Sequence, residues 1–267
     1  MKKIFILITF IILITLNACI KNNNEKFSPS AEYSNAFDGF SSNVPRNFEG
    51  IIKFNMYSSD KVNDPAAKDR ESSSIRSFKG FIDDKSIITT LVDTGNSGSA
   101  TTNGVYFPDK MIGYVSFEDS VSEAHFQTKE DYYEEFRYFD LNFVDDMIEN
   151  TEKTQSDGKT TYKCFLKKDN IHESISTYMP LLEEYVDFVD TEVGLDEAVI
   201  EFTVNKNVLE SSSLHFKGLF NKSTEYPLVF DLDMKYNYST ENVTAEYPET
   251  IEKYINMGDD ENGAQQN

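Results

Sequence analysis

The chain has 267 residues, with 25 Lys and Arg against 46 Asp and Glu and a formal net charge of −21 at pH 7. An acidic excess of this size is repelled by phosphate backbones and anionic lipid heads, so no nucleic-acid partner is expected and basic residues do not hold the protein to a membrane. The length suits one large β-rich domain or two small ones.

The first residues have the three parts of a secretory signal. Lys2 and Lys3 give a positive start, and Ile4 to Leu16 is an apolar run broken only by Thr9 and Thr15. As a helix this run reaches about 20 Å, against roughly 30 Å of bilayer hydrocarbon, which is short for a permanent span. It is followed by Leu16-Asn17-Ala18-Cys19 and the polar stretch Lys21-Asn22-Asn23-Asn24. These four residues resemble the bacterial lipobox, although Asn17 stands where that motif usually has a small or aliphatic residue. The resemblance implies that residues 1–18 are a signal peptide cut before Cys19. It also implies a diacylglyceryl group on the Cys19 thiol, further acylation of the new amine, and an extracytoplasmic protein held to a membrane by its N-terminal lipid. Two or more acyl chains give stable attachment where one does not. Removing Lys2 and Lys3 with the signal takes the charge from −21 to −23.

Residues 19–46 read as a flexible tether rich in Asn, Ser, Glu and Ala, spanning roughly 30 Å. From Phe48 the pattern turns strand-like, with Ile52, Phe54 and Met56 alternating with Lys53 and Asn55. Residues 58–74 read as a polar loop. Ile75–Ile82 and Ile87–Val92 are strands joined by a turn at Asp83-Asp84. The Gly, Ser, Thr and Asn run from Gly95 to Gly104 reads as a flexible loop. Val105–Phe107 and Met111–Phe117 make a hairpin across Pro108-Asp109.

The period then changes. Tyr132, Phe136, Phe139, Phe143 and Met147 recur at helical steps and place a helix near 130–149. A strand over 159–167 follows Asp157-Gly158. Its Tyr162, Cys164 and Leu166 share one face, so Cys164 is expected to be a buried, inert thiol. Ile175, Tyr178, Leu182, Tyr185 and Val189 place a second helix near 173–190, with Pro180 kinking it or restarting it. The last third alternates most cleanly. Ile200, Phe202 and Val204 precede a turn at Asn205-Lys206-Asn207, and Leu214 and Phe216 follow it. Phe230, Leu232, Met234 and Tyr236 then face away from Asp231, Asp233, Lys235 and Asn237. Such alternation describes a sheet with one wet face. The expected organisation is a single α+β domain over 47–256 and a disordered tail over 257–267.

Hairpins, a helix, a strand, a second helix and three long antiparallel strands, downstream of a lipobox, resemble the LolA/LppX-like half-barrel superfamily of lipoproteins and lipoprotein carriers. The likeness rests on Asp157-Gly158-Lys159-Thr160-Thr161-Tyr162, on Glu201-Phe202-Thr203-Val204-Asn205-Lys206-Asn207, and on the run from Asp231 to Tyr238. It implies a curved antiparallel sheet, an incomplete barrel, wrapped around a few helices and enclosing an apolar cavity that can hold acyl chains.

The 21 Phe and 15 Tyr, with no Trp, either line such a cavity or fill a core. Tyr132, Phe136, Phe139 and Phe143 are the candidate ligand-binding stripe. Asp145-Asp146, Glu183-Glu184 with Asp187 and Asp190, and Asp231 with Asp233 lack the spacing of a calcium loop and read as solvated faces. His125, His172 and His215 lie far apart with no local ligand spacing, so no metal and no cofactor are expected. There is no GxSxG, P-loop or GxGxxG motif, and no catalytic residue is expected. Two function classes follow: a binding or carrier module for a lipid or other apolar ligand, and a surface interaction protein, an adhesin or antigen that meets a protein partner through loops and acidic surface.

Overall fold

The computed structural model describes residues 27–41, 45–59, 63–69, 71–95, 98–126, 141, 143–168, 193–220, 225–241 and 243–264. Its strands are β1 (Arg46–Ser58), β2 (Ser72–Ile82), β3 (Ile87–Gly95), β4 (Gly98–Phe107), β5 (Ile112–Phe117) and β6 (Ser120–His125), then β7 (Ile148–Ser156), β8 (Lys159–Leu166), β9 (Val193–Asn205), β10 (Val208–Phe220) and β11 (Leu228–Ser239). They form one curved antiparallel sheet of 11 strands in the order β6-β5-β4-β3-β2-β1-β11-β10-β9-β8-β7. Two meanders are therefore joined where β1 runs along β11, from Asn47 opposite Ser239 to Ser58 opposite Leu228. Among the described residues the sheet does not close, and β6 and β7 are its two edges. Among the described residues the helices are α1 (Pro29–Ser41), the single turn α2 (Pro65–Lys68) and α3 (Glu249–Ala264).

The turns follow local chemistry. Asp157 and Gly158 have φ of 53° and 78°, and Lys206 and Asn207 have 50° and 65°. Both pairs match the mirror-image two-residue turns whose twist suits a hairpin. At the β2–β3 connection the Asp83 carboxylate accepts from the backbone N–H of Lys85 and Ser86 at 2.9 and 2.7 Å.

One face of the sheet, the inner face, carries the main core. Phe48, Ile52, Phe54 and Met56 on β1 lie opposite Tyr238, Met234, Leu232 and Phe230 on β11. Leu214 and Phe216 on β10, Ile200 and Phe202 on β9, and Tyr162 and Cys164 on β8 extend the same buried cluster. Phe78 lies over Gly50 and Phe230 over Gly218, so a Cβ at either glycine would strike a ring, and at Gly218 also the Gly194 carbonyl oxygen. The outer face of β8–β11 carries the charged half of the alternation. Farther along, Phe81, Ile88 and Val105 form a smaller outer cluster that α3 covers with Ile251 and Ile255.

Five sequence expectations change. The loop expected over 58–74 contains the turn α2 and gives way to β2 at Ser72. The tether does not run through to residue 46, because α1 lies within it and Tyr33 and Ala36 enter the main core at 3% and 2% exposure. Residues 98–104 are strand, paired with β3 on one side and, from Thr102, with β5 on the other; cross-strand pairing overrides their weak intrinsic preference. Of the helix placed near 130–149, residues 130–140 lie outside the described residues, and at its expected end Asp145–Met147 is a single 3-10 turn and β7 begins at Ile148. The tail expected to be disordered from 257 is helical to Ala264. The helix expected over 173–190 lies outside the described residues.

Candidate functional site

The inner face near α1 is built from the helix outward. Ser28 caps α1, its Oγ accepting from the Ala31 N–H at 3.1 Å, and Pro29 follows at the first helical position. The Ser30 N–H donates to Asp145 Oδ1 at 3.0 Å, which ties the start of α1 to the 3-10 turn. Helical spacing then puts Tyr33, Ala36 and Phe37 toward the sheet. The Tyr33 ring lies 5.3 Å from both Phe143 and Phe202, and its hydroxyl accepts from the Leu141 N–H at 3.0 Å. Tyr162 stacks on Phe202 at 4.9 Å.

Of the candidate stripe, Phe143 is 6% exposed and forms part of this core, wedged between Tyr33 and Phe202. Tyr132, Phe136 and Phe139 lie outside the described residues, as does Cys19. Both ends of the segment that carries the stripe rest on the inner face. Phe126 meets Tyr106 edge-on at 5.5 Å on the β4 side, while Leu141 and Phe143 meet α1 and β9 on the other.

Cys164 is fully buried on the same face, 3.8 Å from Thr151 Oγ1. Burial pushes its thiol up from 9.0 to about 11. A thiol held protonated is a poor nucleophile. The folded full-length protein should therefore leave Cys164 unmodified by maleimide at pH 7.5 and react only after denaturation, as read by intact mass. Because the folded thiol binds its proton more tightly than the unfolded one, this burial favours the fold below pH 9. That contribution should fade as the pH rises from 9 toward 11.

The outer face holds a different kind of surface. A cleft of about 580 Å³ lies between β1–β4, β11 and the segment 244–248, lined among others by Lys79, Phe81, Ile88, Asn103 and Tyr247. On its floor Thr90 Oγ1 donates to Asn103 at 3.0 Å, and Asn103 Nδ2 donates to Ser116 at 3.3 Å. Tyr247, one of its lining residues, is 39% exposed. Farther along, sheet register brings His215 on β10 directly opposite Asp233 on β11, with Asp231 two residues away on the same face. His215 Nδ1 is 2.8 Å from Asp233 Oδ1 and 3.9 Å from Asp231 Oδ1, and Nε2 is 3.6 Å from Glu197 Oε2. Sequence spacing did not reveal this group, because 16 residues separate His215 from Asp231 and only the β10–β11 pairing joins them.

No family model matches the chain, and no curated protein matches it. Among solved structures it is similar to a β-barrel-like protein of a domain of unknown function, DUF1849, from Brucella abortus. The identity is 8%, the TM-score is 0.20, and the match covers 74% of this chain and 99% of that one. At that TM-score the likeness is slight. The class is defined by the sheet itself: one curved antiparallel sheet of 11 strands that, among the described residues, does not close.

Proposed function

We propose that the protein is a lipid-anchored, extracytoplasmic and non-catalytic binding module that takes a lipid or similarly apolar ligand on the inner face of its open sheet, in the manner of the half-barrel lipoproteins. One observation carries the reading. The inner face is apolar from β8 across to β4, and Phe126 and Phe143, which stand before and at the end of the segment that carries the stripe, both pack on that face. Acyl chains need no hydrogen bonds to be held, since each Å² of buried apolar area contributes about 25 cal/mol. The edge strands suit an open barrel. β7 presents Glu149, Glu152 and Lys153, and β6 presents Glu123, and charges of this kind discourage pairing with another chain.

The full-length protein in detergent, offered deuterated phospholipid or palmitate, should take up one ligand by native mass spectrometry. Phe136→Asp should abolish uptake while leaving the melting temperature within a few degrees. Phe143→Asp is not a clean probe, because it buries a charge between Tyr33 and Phe202 and should unfold the domain. Unchanged uptake in a folded Phe136→Asp protein would remove the stripe from the site. A second reading, docking of a protein partner on the outer face, is favoured by the half-polar cleft, which the partly exposed Tyr247 lines.

A further inference from the structure

We infer that His215, Asp231 and Asp233 form a binding site for one divalent transition-metal cation on the outer face of β10 and β11. The donor atoms, one imidazole nitrogen and two carboxylate oxygens, lie within 4.8 Å of one another. Ligands about 2.1 Å from a tetrahedral ion stand about 3.4 Å apart. The distances of 2.8 and 3.9 Å from His215 Nδ1 to the two carboxylates fall on either side of that spacing, so small side-chain rotations suffice.

Three further features fit a metal better than a simple ion pair. Asp231 Oδ1 is shielded from solvent and makes no hydrogen bond among the described residues, with His215 Nδ1 3.9 Å away. A cation at this point would satisfy it. Next, Glu197 Oε2 stands 3.6 Å from the second ring nitrogen of His215. A carboxylate behind a histidine is the usual outer partner of a metal-bound imidazole, where it fixes the tautomer and raises ligand basicity. Finally, all three ligands come from paired strands, not from a loop, so the backbone holds them in place.

The surroundings also select the ion. Lys217 stands across from Asp231, and Lys53 stands across from Asp233 on the β1 side. They offset part of the carboxylate charge, which penalises Ca2+ and Mg2+, hard ions held by oxygens and charge alone. An ion that also bonds imidazole nitrogen is penalised less. His215, Asp231 and Asp233 keep 33%, 27% and 41% of their side-chain surface exposed, leaving room for water or an outside donor to complete the coordination.

The test uses the full-length protein in detergent, stripped with a chelator and titrated with Zn2+ by calorimetry. One Zn2+ per chain is expected, unaffected by a large excess of Ca2+ or Mg2+. His215→Ala, Asp231→Asn and Asp233→Asn should each weaken binding at least about tenfold, and Glu197→Gln should weaken it by roughly tenfold, with unchanged circular dichroism. His125→Ala provides the control, because exposed His125 with Glu123 at 3.1 Å is the other histidine–carboxylate pair on the described surface. It should leave binding unchanged. No stoichiometric Zn2+, binding that survives His215→Ala, or binding lost with His125→Ala would each overturn the inference.

Discussion

Tyr33→Ala should destabilise the domain by about 3–5 kcal/mol, the range for removing a large buried aromatic ring. The ring sits at 3% exposure against Phe143 and Phe202 and stacks on Phe37 at 6.1 Å. Truncation would open a cavity between helix and sheet. It would also strip the buried Leu141 N–H of its acceptor, a loss of about 1–3 kcal/mol that forms part of the total. Tyr33→Phe isolates that second part and should cost about 1 kcal/mol. Urea unfolding of the full-length variants, followed by circular dichroism, separates the two. If Tyr33→Ala were nearly as stable as the parent, α1 would be an ornament on a tether after all, and the core described here would be wrong at its centre.

Cys19→Ala should abolish stable lipid anchoring. Each acyl methylene buried in the bilayer contributes about 0.8 kcal/mol, and two chains hold where one is marginal. Cleavage before Cys19 would remove Lys2 and Lys3 and take the charge from −21 to −23, so anionic lipid heads would repel what remains. The variant should appear either as released protein or as uncut precursor that retains the apolar run Ile4–Leu16, which intact mass distinguishes. A Cys19→Ala protein that is still cut and still membrane-bound to the same extent would refute the anchor.

How much of this was legible in the sequence depends on where the burial lies. β9 to β11 pack one face on the core and wet the other, so their alternation named the strands, the turn and the inward residues directly. β6 and β7 are polar edge strands with little apolar alternation to read, and β4 begins with small residues that look like a loop until neighbours pair with them. α1 carries a local signal: Ser28-Pro29 is a capped helix start, and Tyr33, Ala36 and Phe37 follow at helical spacing. Its surface residues, Ser34 and Asn35 among them, dominated the composition and suggested a tether. α3 was hidden by the same effect, since Ile251 and Ile255 are few among acids. The ligand stripe was read from period alone, and the one member the structure describes, Phe143, serves the core. The group around His215 could not be found from spacing, because cross-strand register creates it.

The most direct test of the central proposal is native mass spectrometry of the full-length protein extracted gently from the membranes of the cells that make it. The account predicts a chain beginning at Cys19 and carrying a covalent diacylglyceryl mass, together with a further lipid-sized mass that is non-covalent and leaves on collisional activation. A chain beginning elsewhere, or an acylated chain that carries no such ligand and takes none up when phospholipid is added, would contradict it.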